Sequence, residues 1–163
     1  MIPHISLSVD LVILATFLAV VVVGFALGQE RMRGFALSIY VGLALAIELG
    51  DPASKLLASH GTSLTAGRVR LTLFALPILI LTLTHHPHGR GKRRGMIIPM
   101  VLSIVMAALI ITSAIHLMDP EMSRQILGSS SLADPLNRLW LVWLVLVPVA
   151  AIAEIFGKSG KKH

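Results

Sequence analysis

The sequence predicts an all-α integral membrane protein with about five transmembrane helices. Of its 163 residues, 55% are hydrophobic and 13% are charged. Soluble domains average about 45–50% apolar and about 25% charged residues, so this chain cannot cover a water-facing surface. Five apolar runs each approach the roughly 20 residues that cross a bilayer as a helix. They occupy residues 11–28, 34–50, 69–84, 96–117 and 139–156.

Two further features of the composition exclude certain kinds of site and predict the role of the first apolar run. The chain has no cysteine, which excludes a disulfide framework, a thiol nucleophile and a zinc site of the Cys type. The first ten residues contain no Lys or Arg, so the basic segment of a secretory signal peptide is missing. We therefore expect the first apolar run to be a retained membrane anchor.

Part of the sequence occurs twice. A shift of 68 positions gives twelve identities in the fifty ungapped pairs that begin at Ala46, including Asp51-Pro52 on Asp119-Pro120 and Arg70 on Arg138. A self-match at a fixed period indicates a repeated supersecondary unit. We predict one membrane domain, 1–163, with an extra N-terminal span in 1–33. Two parallel hairpin repeats follow, in 34–95 and 102–163.

Asp-Pro pairs predict where further helices begin, because Asp is a good N-cap and Pro is favoured at the first helical position. Each repeat has an outer connection that opens with such a pair. We expect short surface helices from Pro52 to about His60 and from Pro120 to about Leu127, each ended by a glycine. Asp134-Pro135 is predicted to start the last span in the same way.

Lys and Arg are distributed unevenly between the two sides. The connections after the first, third and fifth runs carry nine of these residues, and the alternate connections carry five. The positive-inside rule then predicts a multi-pass protein of the bacterial cytoplasmic (inner) membrane, with its N-terminus outside and its C-terminus in the cytoplasm.

The basic segment 89–95 has no interleaved aromatic residues, which argues against binding of nucleic acid. Contact with anionic lipid headgroups is expected instead at Arg90, Lys92, Arg93, Arg94, Lys158, Lys161 and Lys162.

Small residues recur at intervals of four along the second span. Such spacing lets a neighbouring helix approach closely in a bilayer. The predicted packing seam comprises Gly34, Ser38, Gly42, Ala46 and Gly50, with Gly24 and Gly28 of the first span as the expected partner motif. We expect this contact to form within one chain more often than between two copies. Other membrane proteins or a second copy are the predicted protein partners.

A few polar groups lie near the span ends, and they leave two interpretations open. Asp10, Glu48, Asp51, His116 and Asp119 form a candidate outer polar cluster. One interpretation is that these residues line a polar pocket. The other, which is favoured, is that they reach the headgroups and cap helices. The tract containing His85, His86 and His88 could bind a metal, but a surface tract is the simpler interpretation. We predict no metal and no cofactor.

The chemistry of the spans argues against several functions. Their interiors are almost free of ionisable residues, which argues against a proton-coupled pump or a classical ion channel. The chain has no Gly-rich phosphate loop, no HExxH motif and no paired carboxylates. An enzyme is therefore less expected than a protein without catalytic activity, and no catalytic residue is predicted.

The first third of the chain resembles the colicin V production (CvpA-like) family of small bacterial inner-membrane proteins. The resemblance rests on Asp10, on GFALGQERMRGFALSIYVGLALA in 24–46 and on ILGSSSLADPL in 126–136. The fourth span lacks the expected glycine series, and a clear fifth span is present. The resemblance implies a membrane protein linked to envelope homeostasis or export, without established catalytic residues.

Three functions follow as expectations. The first is a non-catalytic accessory or scaffold protein that acts through helix–helix contacts. The second is a small transporter or channel for a neutral or apolar solute between the two hairpins, with Pro77 and Pro148 as helix breaks. The third is a lipid-modifying enzyme that uses the outer acids. A polar-lined cleft between the hairpins favours transport, whereas a dry packed interior favours the scaffold.

Overall fold

A computed structural model describes residues 4–62, 64–84 and 97–159; within these ranges it leaves aside the side chains of 4–8, 25–31, 33, 97–99, 150–151 and 153–159. Over the described ranges all the regular structure is helical, which confirms the all-α prediction. The elements are α1 (His4–Ser59), α2 (Ala66–Thr84), α3 (Ile97–Leu117), α4 (Pro120–Ser129), α5 (Ala133–Arg138) and α6 (Trp140–Ser159).

Helix α1 differs from the prediction because it joins the first two apolar runs. It has 56 residues and passes through the predicted connection after Gly28 without leaving the helix. A straight helix would place Asp10 about 62 Å from Asp51. Asp10, however, bonds to Ser131 just after α4, and Asp119 at the start of α4 bonds to Gly67. Because α4 is only about 15 Å long, α1 must bend sharply.

The bend divides α1 into two arms, the first arm (residues 9–24) and the second arm (residues 32–59). Ile13 and Phe17 pack on a cluster that contains Ile111 and Ile115 of α3. A Cβ atom at Gly24 would lie 2.6 Å from Oγ of Ser103 near the other end of α3, and 3.5 Å from Cε of Met32. The first arm therefore runs antiparallel to α3, and Met32 lies back beside Gly24 after the bend.

The end of α1 contradicts one predicted boundary and confirms another. Pro52 lies inside α1 and does not begin a separate surface helix. A proline leaves the carbonyl four residues earlier without its helical donor, and here that carbonyl belongs to Glu48, an exposed residue. The helix stops at Ser59, and Gly61 has φ of 78°. Bonds from Gly61 N to Ala58 O and from Thr62 N to Leu57 O complete a Schellman motif.

The second repeat begins its surface helix as predicted but not its last span. Asp119 precedes α4, which has Pro120 in its first turn. Asp134 lies inside the short helix α5, and α6 begins only at Trp140. Helix α5 begins before Asp134, and Ser130 Oγ accepts a 3.0 Å hydrogen bond from Ala133 N, its first residue. The chain leaves the helix at Leu139, so the last span begins only after that turn.

The main core lies between the second arm, α2, α3 and α6. Its fully buried members are large and apolar and include Met32, Ile39, Met106, Leu109 and Val147. Ile126 and Leu127 of α4 pack onto a smaller cluster at the end of α3 rather than facing away from the protein. Helix α4 therefore covers this end of the bundle.

Three described helices are long and apolar enough to cross a membrane. They are Gly34–Ser59, Ala66–Thr84 and Met100–Leu117, of which the last is the most buried and the second the least. The described apolar parts of the other two runs, Val9–Gly24 and Trp140–Val149, are shorter. These lengths and compositions fit a membrane protein. The five-span count and the tandem repeat remain predictions.

Candidate functional site

The small residues of the second arm face α2. A Cβ atom built on Gly42 would overlap the backbone carbonyl oxygen of Phe74, and one built on Gly50 would overlap the Arg70 side chain. At Gly34 the nearest atom is Leu81 Cδ2 at 3.6 Å, which is an ordinary contact. The close approach is therefore centred on Gly42, where two helix backbones meet without room for a side chain.

The remaining members of the predicted seam have other surroundings. Ser38 and Ala46 are buried, and the Ser38 hydroxyl donates a 2.7 Å hydrogen bond to Phe35 O of its own helix. Gly24 lies against Ser103 of α3, so it is not the partner of the second-arm row. Gly28 belongs to the part of α1 that is described as backbone only. The observed partner of the row is α2, because the bend in α1 places the first arm on α3.

The candidate outer polar cluster lies at one end of the bundle, but its members have separate contacts. Arg70 Nη2 contacts Asp51 Oδ1 at 2.6 Å and joins the second arm to α2. Asp119 Oδ1 accepts a 3.0 Å hydrogen bond from Gly67 N in the first turn of α2. Asp119 thus satisfies one of the amide groups that a helix start leaves without a partner. Both acids have a structural role in this arrangement.

Asp10 joins the start of the first arm to the junction between α4 and α5. Its carboxylate accepts hydrogen bonds from the hydroxyl of Ser130, from that of Ser131 at 3.0 Å and from Leu132 N at 3.4 Å. These bonds, above all the one from Ser130, lower the pKa of Asp10 from its ordinary value, because they favour the charged carboxylate. Asp10 and the Ser-rich segment 129–131 are two of the separate stretches on which the family resemblance rests, and they meet here.

Glu48 and His116, which the repeat makes equivalent, are both exposed. The His116 ring stacks on Trp140 with centroids 4.4 Å apart and an angle of 12° between the planes. This contact joins the end of α3 to the start of α6. Glu48 lies on the exposed side of the second arm, away from α2. Among the described residues, no hydrogen bond or ion pair joins any two of these five side chains.

Two contacts were missed by the sequence analysis. Ser130 bonds to Asp10 and also accepts the amide of Ala133. The Tyr40 hydroxyl donates a 2.5 Å hydrogen bond to Leu144 O on α6. Pro148 has no N–H group, so the sequence predicts that the carbonyl of Leu144, four residues earlier, needs another hydrogen-bond donor. No comparable signal identifies Tyr40 as that donor, because it lies 104 positions away.

The predicted lipid-contact residues and the histidine tract have no described side chains. Residues 85–96 and 160–163 lie outside the described ranges, and Lys158 belongs to the part of α6 given as backbone only. Among the described residues, no group of three or more His, Cys, Asp or Glu could hold a metal ion.

The three comparisons with known proteins agree with one another: no family model, no curated protein and no solved structure matches this chain.

Proposed function

We propose that this chain is a non-catalytic accessory or scaffold protein of the bacterial inner membrane, which binds other membrane proteins through helix–helix contacts. The resemblance of its first third to CvpA-like proteins suggests a role in envelope homeostasis or export. The observation that carries the proposal is the filled apolar interior between the second arm, α3 and α6. A packed centre of this kind favours a scaffold over a solute path.

Several interior residues support this interpretation. Met32, Ile39, Met106 and Leu109 are fully buried where the second arm meets α3. Of the buried polar side chains, Thr112 donates a 2.8 Å hydrogen bond to Ala108 O, within its own helix. This hydroxyl thus donates its hydrogen within its own helix, as Ser and Thr side chains in helices commonly do.

The outside of the bundle supplies the candidate contact surface. Most of α2 is unburied although the helix is strongly apolar, and Leu76, Leu79, Ile80 and Leu83 are exposed along it. The glycines that permit close helix packing are already occupied by α2 itself. A partner would therefore pack on the outer face of α2, where van der Waals contact drives association in lipid.

The transport alternative depends on helix breaks, and the two prolines do not supply them. Pro77 and Pro148 lie inside α2 and α6, which continue to Thr84 and Ser159. The Leu144 carbonyl freed by Pro148 is bound by Tyr40. In transporters, unwound backbone carbonyls coordinate the coupling ions; here that carbonyl has a partner within the protein.

The proposed membrane arrangement has five crossings, with both arms of α1 counted. Helices α2, α3 and α6 have 19, 21 and 20 residues, or about 29–32 Å of helix, close to the roughly 30 Å of a hydrocarbon core. Asp10, Asp51 and Asp119 lie at one end. The bend of α1 and the basic segment 89–95 are assigned to the cytoplasmic end.

Cysteine labelling tests this topology directly, because the chain has no cysteine of its own. In intact cells, an impermeant maleimide is expected to label Lys55→Cys, which lies near the outer end. Lys92→Cys should react only after the membrane is permeabilised. Labelling of residue 92 in intact cells, with residue 55 protected, would reverse the assigned orientation.

Purification in a mild detergent, followed by mass spectrometry of bound proteins and lipids, tests the scaffold function. We expect a membrane protein in fixed stoichiometry, which is lost when Leu79 and Leu83 on α2 are both replaced by Trp. The matched control is Trp at Leu141 and Val145, which are exposed on α6. Recovery of lipid alone, together with solute flux in reconstituted vesicles, would contradict the scaffold and favour transport.

A further inference from the structure

We draw no further inference here: the strongest candidate, the apolar groove on the outer face of α6 lined by Leu141, Val142, Val145, Leu146 and Val149, is an exposed face of a single helix, and nothing in the structure shows what covers it.

Discussion

Replacing Gly42 with alanine is expected to destabilise the fold by about 2–3 kcal/mol, at the upper end of the usual cost of overpacking. The added Cβ would overlap the carbonyl oxygen of Phe74, and its next contacts are the carbonyl carbon and Cα of the same residue. These are backbone atoms of a helix, so no side-chain rotation relieves the clash. The second arm and α2 would have to separate along their whole contact, which thermal unfolding in detergent would measure.

Two other glycines of the same row provide matched controls. Gly34→Ala places its Cβ at an ordinary distance of 3.6 Å from Leu81. It should leave stability unchanged or raise it by up to about 1 kcal/mol, because alanine favours helix. Gly50→Ala meets the flexible side chain of Arg70, which can move, and an intermediate loss is expected. Equal melting temperatures for the Gly34 and Gly42 variants would show that the seam does not depend on close backbone contact.

Replacing Asp119 with alanine is expected to cost about 1–2 kcal/mol, the upper part of the range found when a helix loses its capping side chain. The carboxylate bonds to Gly67 N at 3.0 Å, and its removal leaves an amide of the first turn of α2 unpaired. Asp119→Asn retains an acceptor oxygen and should recover most of the loss. The free energy of unfolding of the two variants, measured in the same detergent, checks this expectation.

The equivalent acid of the first repeat provides the control for Asp119. Asp51→Ala removes an exposed ion pair with Arg70, and such pairs contribute about 0–1 kcal/mol. The sequence treats the two acids alike, whereas the structure predicts the larger effect at Asp119. An equal or larger loss at Asp51 would contradict the assignment of Asp119 as the cap of α2.

The two segments aligned by the self-match also differ in their ion pairs. Arg138 falls on Arg70 in the self-match, but it contacts Asp134 one turn earlier on α5, at 2.8 Å. Asp119 is then free to bond across to α2. The two aligned arginines therefore make contacts of different kinds, within one helix for Arg138 and between two helices for Arg70.

The helical class, the apolar runs and several helix ends follow from the sequence for local reasons. In a bilayer, a run of about 20 apolar residues forms a helix, because its backbone N–H and C=O groups must bond to one another. A glycine with positive φ ends a helix wherever its neighbours allow a Schellman motif, as Gly61 does. The start of α4 after Asp119 also depends on the chain nearby, and it was predicted correctly.

The errors arise where distant residues decide the outcome. Asp51-Pro52 and Asp119-Pro120 have the same helix-start signal, yet only the second begins a helix; Asp51 lies inside α1 and is bonded to Arg70 of α2. Ser130, whose hydroxyl accepts the amide of Ala133 at the start of α5, is bonded to Asp10, 120 positions away in the sequence. Local patterns contain no information about such partners.

The sequence by itself determined that the chain is helical, apolar enough for a membrane and rich in closely spaced small residues, because composition and periodicity depend only on neighbours along the chain. Only the tertiary structure decided which surfaces those residues face. The bend in α1 places Gly24 on α3 and the row around Gly42 on α2. It also gives Asp10, Asp51 and Asp119 three different partners, because hydrogen bonds and backbone contacts depend on the positions of segments far apart in sequence.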